Sequence, residues 1–235
     1  MLKQLLSELK PYIEPEYKAG ATNFFKEPIK PLGVRTPTVR KIARAHFKEI
    51  DKMTKREVFE LCDSLLGTGK FELGLIAFAF IRRRIDDLTK ADFKILESWI
   101  HKYIHNWAWC DDFCTHNIAQ MLAKYPELAG AIKSWTKSKN RWLKRAAAVS
   151  FVPAAAHGEH HLDVFIVATI LLHDTDDLVQ KGYGWMLKSA ANFDQEAVFN
   201  FVMEHKDKMP RTALRYAIEK MTTNLKQKAM RVTVK

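Results

Sequence analysis

Along the chain, apolar residues recur at spacings of three and four, and no segment alternates convincingly with period two, so the pattern predicts helices and no sheet. Five stretches rich in Ala, Leu and aromatic residues read as inward-facing helices. They begin at Phe71 (FELGLIAFAFIRRR), Trp107 (WAWCDDFCTHNIAQMLAKY), Trp142 (WLKRAAAVSFV), Val179 (VQKGYGWMLKSAA) and Arg211 (RTALRYAIEKM). Each follows another amphipathic stretch, starting near Thr54, Thr89, Pro126, His161 and Asp194. Thr54, Thr89 and Asp194 are placed to cap their helices, because a side-chain oxygen there can accept from an orphan N–H of the first turn. Short links such as Gly67–Lys70 and Lys206–Pro210 punctuate the pairs.

Trp107, Arg145 and Trp185 fall inside successive second helices, 38 and 40 residues apart. A period of about 40 residues is that of HEAT-type repeats, whose equivalent positions stack on one side of a solenoid. The predicted fold is therefore all-α, a right-handed α-α superhelix of HEAT-like helix pairs with a concave basic groove. With no composition shift along it, residues 1–235 read as one domain. Residues 1–50 form N-terminal capping helices and 51–235 about five helix pairs, and Trp107, Arg145 and Trp185 are expected to line the groove.

Composition narrows the function classes. Hydrophobic residues make up 47% of the chain, enough for a sizeable core, while 9 Gly and 8 Pro supply few of the turns an all-β fold needs. Lys and Arg number 38 against 27 Asp and Glu, a net charge of +11, which favours a polyanionic partner and nucleic acid first. No stretch approaches the length of a bilayer span, and the N-terminal MLKQLLSELKPYIEPEYK lacks the apolar run of a secretory signal. Three cysteines, Cys62, Cys110 and Cys114, form no disulfide framework, so reduced thiols and a cytoplasmic setting are expected.

Candidate chemistry concentrates in three helices. Trp107 and Asp111 are four apart and share a face, whereas Trp109 points elsewhere and reads as core. Arg141 and Arg145 share a face beside the small residues of NRWLKRAA, and a planar guanidinium suits bidentate phosphate contact; a solvated charge run is the plainer alternative. Gly182 and Gly184 would each cost about 1 kcal/mol in a helix interior relative to Ala. Their presence predicts close approach of a backbone or ligand beside Trp185. Cys110, Cys114 and His116 have no second Cys pair to complete a zinc site, so no metal is assigned and the cysteines read as small apolar residues. His157, His160 and His161, in HGEHH, read as solvated loop. No phosphate-binding loop, dinucleotide fingerprint or Ser-His-Asp arrangement is present, and no cofactor is expected.

Four local patterns, in order and over most of the chain, resemble the AlkD-type HEAT-repeat DNA alkylation repair family of alkylpurine DNA glycosylases. They are LGVRTPTVRKIAR from Leu32, NWAWCD at Asn106–Asp111, NRWLKRAA at Asn140–Ala147 and VQKGYGWMLK at Val179–Lys188. The resemblance implies that Trp107 and Trp185 with Asp111 surround the damaged nucleotide while Arg145 holds the backbone. Phe24 would offer an aromatic where the family often has a tyrosine, so no hydroxyl is contributed there. Grip on double-stranded DNA containing alkylated bases is expected from Arg35, Arg40, Lys41, Arg44, Arg141, Lys144, Lys181, Lys188, Arg211 and Arg215. The chain would act as a monomer in a bacterial-type cytoplasm, associated with the nucleoid.

The implied reaction is economical. Purines alkylated at N3 or N7 carry positive charge and leave readily, so the paired carboxylates of ordinary glycoside hydrolysis are not required. One carboxylate, Asp111, can stabilise the developing oxocarbenium-like sugar and orient water, and electron-rich indole faces attract the cationic lesion. Two alternatives stay open on the sequence: a non-enzymatic binder of branched or damaged DNA, and a HEAT-type protein-interaction scaffold.

Overall fold

Every helix pair expected from Thr54 onward is present in the computed structural model, which describes residues 1–231, and no strand occurs among them. Four helices precede the pairs: α1 (Leu2–Leu9), α2 (Pro15–Phe24), α3 (Thr36–Ala45) and α4 (Phe47–Ile50). The first two pairs are α5 (Lys55–Gly67) with α6 (Phe71–Arg83), and α7 (Phe93–Lys102) with α8 (Trp107–Asp112). A π-helical segment, Phe113–Ile118, then leads into α9 (Ala119–Lys124). Beyond it come α10 (Ala129–Ser134), α11 (Arg141–Val149), α12 (Val152–Ala155), α13 (His161–Ile170), α14 (Asp177–Ala190), α15 (Gln195–His205), α16 (Arg211–Ala217) and α17 (Thr223–Met230). The described chain falls into two compact units, Met1–Phe113 and the part from Cys114 onward.

The expected caps are in place. Thr54 and Glu57 form a reciprocal capping box, Thr89 and Asp92 do the same ahead of α7, and Asp194 accepts from the Ala197 N–H. Three further caps stand before the helices of chemical interest: Asn106 accepts from Trp109 N–H, Asn140 from Trp142 N–H, and Asp176 from Leu178 and Val179 N–H.

In the first unit α6 is the central element and packs on α3, α4, α5 and α8. Trp109 is fully buried against it, as its position predicts, and its indole N–H donates to the Phe71 carbonyl at 3.0 Å. The ring needs Gly74, because a Cβ there would stand 2.1 Å from Trp109 Cζ2. Phe78 and His105 meet the indole edge-on, with centroids 5.8 and 5.2 Å away.

At the start of this unit, α1 buries Leu5 and Leu9 completely and is tied by an ion pair. His46 Nε2 lies 2.8 Å from Glu8 and its Nδ1 3.3 Å from Glu49. Burial alone would depress the His46 pKa, but hydrogen bonds and charge from Glu8 and Glu49 outweigh it and raise it. The Glu8 carboxyl is held below its usual range, chiefly by the hydrogen bond to His46.

In the second unit the long helix α14 packs on α11, α12, α13 and α16. Both of its glycines prove to be contact points. A Cβ at Gly184 would lie 2.7 Å from Tyr216 Cβ and 2.8 Å from the Ala213 carbonyl, so α16 approaches backbone to backbone. A Cβ at Gly182 would meet the Arg145 side chain at 3.3 Å. Cys62, Cys110 and Cys114 are all buried, and none of them is in a disulfide among the described residues. The histidine loop is solvated at His157, as expected, but departs from that reading at His160. His160, at φ 54°, hydrogen-bonds Asp163 at 2.9 Å and packs edge-on to Phe151, because Asp163 is also held by Lys133 and draws the ring inward.

Two outcomes follow from this packing. Gly74→Ala should lower stability by about 2–3 kcal/mol through overpacking against Trp109, read as a shifted urea midpoint. The stabilisation held by His46 is complete below its unfolded pKa of about 6.5 and is lost as pH rises through its higher folded value; the Glu8 share is complete above its unfolded pKa of about 4.3 and is lost as pH falls through its lower folded value. Urea midpoints measured across that range should decline on the alkaline limb, and His46→Gln should flatten that decline.

Candidate functional site

Trp107 opens α8 under the Asn106 cap and is half-buried. Its indole faces a cleft of about 460 Å³ lined by Tyr17, Phe24, Phe25, Pro31, Phe71 and Glu72 among others. Phe25 stacks on it with centroids 5.1 Å apart and planes 18° from parallel, and Phe24 meets it edge-on at 5.8 Å. Phe24 is itself 70% exposed at the end of α2, so an aromatic surface continues from the cleft to solvent. Phe25 and Glu72 were not among the expected site residues. Phe25 stands beside Phe24 in a Phe-Phe pair, which was the available signal; Glu72 sits in an apolar run with nothing nearby to mark it.

Glu72 shapes the cleft through the backbone. Only 1% exposed, its carboxylate accepts the N–H groups of Leu32, Gly33 and Val34 at 2.7, 2.8 and 3.0 Å. Gly33 has φ +103° and could not carry a side chain, since a Cβ would lie 2.8 Å from Lys18 Cβ. Its carbonyl accepts from Glu14 N–H at 2.9 Å, at the start of α2. Segment 32–34 is thus fixed both to α6 and to the helix that ends in Phe24.

Asp111 lies one turn from Trp107 on α8 and is half-buried. The next residue, Asp112, accepts from Arg82 at 3.2 Å and from Arg40 at 3.5 Å. Of the other cations expected on DNA in this unit, Arg35 forms a bidentate pair with Glu14 and lies 5.0 Å from the Tyr17 ring centre, while Lys41 and Arg44 are exposed.

Arg145 and Trp185 belong to the second unit. Arg145 is buried, 5% exposed, and its guanidinium donates to the Leu178 carbonyl. Trp185 is half-buried on α14, between Gly184 and Met186. Most of the cations expected here are already engaged by acids. Arg141 donates to Asp176 at 2.9 Å, Lys144 pairs with Asp174, Lys181 with Asp177 at 3.0 Å and Lys188 with Glu219 at 2.9 Å. Arg211 donates to the Met230 carbonyl at 3.3 Å, and Arg215 is exposed. A phosphate on α11 or α14 must therefore compete with carboxylates.

A family model described as DNA alkylation repair enzyme matches residues 5–221. The chain belongs to that family. Its role accordingly lies in DNA repair. A solved structure, a predicted DNA alkylation repair enzyme from Enterococcus faecalis, superposes with a TM-score of 0.81 over 90% of this chain and 97% of its own at 13% identity, a likeness of fold. Among curated proteins no match was found. No helix of the described residues is long and apolar enough to cross a membrane.

Glu72→Gln should keep the two N–H contacts made to one oxygen, set its amide NH2 against the Leu32 N–H in place of the third, and lower stability by about 2–3 kcal/mol. Urea unfolding measures the loss. Quenching of tryptophan fluorescence by acrylamide should rise as the cleft around Trp107 loosens.

Proposed function

We propose that this member of the DNA alkylation repair family is a monofunctional DNA glycosylase, releasing N3- and N7-alkylated purines from double-stranded DNA. The observation that carries the reading is the family match over residues 5–221, together with a carboxylate one turn from a tryptophan that opens into an aromatic cleft. Asp111 is the proposed catalytic carboxylate. As the C1′–N bond breaks, its electron pair passes to the purine ring and neutralises the alkylated base. The negative charge of Asp111 stabilises the cationic sugar, and its oxygen accepts a hydrogen bond from the water that attacks C1′. That water passes its proton to the Asp111 carboxylate, which releases it to solvent, leaving an abasic site and the free base.

Trp107 and Trp185 are proposed to favour the cationic lesion over an ordinary purine, a preference worth about 0.5–2 kcal/mol per face depending on desolvation. Phe24 and Phe25 extend the aromatic surface on the Trp107 side. Arg145 is proposed to hold the lesion's backbone. Binding of undamaged duplex would draw first on the exposed cations Lys41, Arg44 and Arg215, because the acid-paired ones must first break their pairs. Action as a monomer in the cytoplasm completes the proposal.

The test is release of 7-methylguanine from alkylated duplex. The parent should excise the base, and Asp111→Asn should lower single-turnover excision about 100-fold or more while duplex binding is kept. Tight binding by the parent with no release would favour a DNA binder without excision.

A further inference from the structure

We propose that the first unit carries a separate phosphate-binding pocket, built by Arg40, Arg44, Arg82 and Arg83 around Asp112. Arg40 and Arg44 lie one turn apart on α3, and Arg82 and Arg83 end α6. The side chains line one cavity of about 260 Å³, walled on its apolar side by Phe47. Among the described residues the four guanidiniums meet two carboxylates: Asp112, shared by Arg40 and Arg82, and Asp51, which Arg83 engages at 2.6 and 2.8 Å. The excess of two positive charges matches a phosphate group, and planar guanidiniums present paired donors to its oxygens.

Arg82 adds an independent observation. Its Nε–H is buried and has no hydrogen-bond partner among the described residues, although burial penalises such a donor. Arginines at helix C-termini also complement the helix dipole, which accounts for Arg83 with its exposed Asp51 pair. The dipole does not account for a buried, unanswered donor at a cavity wall. Arg44 is exposed and has no acid partner among the described residues. A tetrahedral oxyanion in the cavity would supply acceptors to both.

Asp112 sets the affinity. It engages Arg40 and Arg82 and must be outcompeted or shared when phosphate enters. The proposal does not depend on base release. The same phosphate chemistry arises from two sources, a phosphodiester of the duplex or free phosphate.

The experiment measures inorganic phosphate by calorimetric titration and undamaged duplex by fluorescence anisotropy, for the parent, Arg44→Ala, Arg82→Gln and Asp112→Asn, each checked for folding by circular dichroism. Saturable phosphate binding, weakened about tenfold in Arg44→Ala and tightened several-fold in Asp112→Asn, assigns the pocket to free phosphate. No phosphate binding, but weaker duplex binding in Arg82→Gln as well as in Arg44→Ala, each with a salt slope smaller by about one, and tighter binding in Asp112→Asn, assigns it to the phosphodiester. Two results overturn the proposal. One is unchanged affinity for both ligands in Arg44→Ala and Asp112→Asn. The other is weakening in Asp112→Asn equal to that in the arginine variants, as a purely structural ion-pair hub would give.

Discussion

The first unit turns on one buried carboxylate. Glu72 gathers three successive backbone N–H groups, and those bonds fix a short loop around the buried Val34. The consequences run outward. Phe71 N–H donates to the Lys30 carbonyl at 3.1 Å, Gly33 accepts from the first residue before α2, and α2 delivers Phe24 at its last position with Phe25 immediately after. The aromatic wall beside Trp107 is therefore positioned by hydrogen bonds at its far end as much as by ring contacts at its near one. Charge-assisted bonds suit this task, because they fix direction where apolar contact alone fixes only proximity.

Glycine performs the matching role among the helices. Gly74 admits the Trp109 indole into α6, and Gly184 lets α16 press against α14. Gly182 makes room for Arg145, whose guanidinium reaches the Leu178 carbonyl in the first turn of the same helix. An arginine so nearly buried has given up most of its hydration, so any anion it meets is met where charges interact more strongly than in water. The two costly glycines in α14 thus answer different demands, one from a backbone and one from a side chain.

Helix periodicity made the pairs legible from Thr54 onward, because amphipathic stripes and oxygen caps are local signals. Asn106 and Asn140 were equally local, yet they stood inside motifs read for their tryptophans and arginines, and their capping role emerged only from geometry. Glu72 was illegible for a deeper reason. Its partners lie about 40 residues upstream, and an acid in an apolar run announces no partner until the loop folds over it. The pairing of the cations was hidden in a different way. A count of Lys and Arg cannot show that Arg141, Lys144, Lys181 and Lys188 each face an acid, since Asp174, Asp176, Asp177 and Glu219 lie some 30 residues from most of their partners. Net charge reported a real excess, and the structure placed its least encumbered part elsewhere.

Adjacent carboxylates on α8 show how one helix can divide labour. Successive residues point about 100° apart, so Asp111 and Asp112 face different surroundings despite their identity. Asp112 is committed to Arg40 and Arg82 and is suited to holding those side chains rather than to serving a reacting water. Asp111 shares the Trp107 register instead. On the proposed chemistry this is sufficient, because an alkylated purine brings its own leaving-group charge and the site need supply only one anion and an electron-rich surface. A normal purine, lacking that charge, would find neither a general acid nor an attractive face. Discrimination would then reside in the lesion's chemistry, with no need for a pocket shaped to one base.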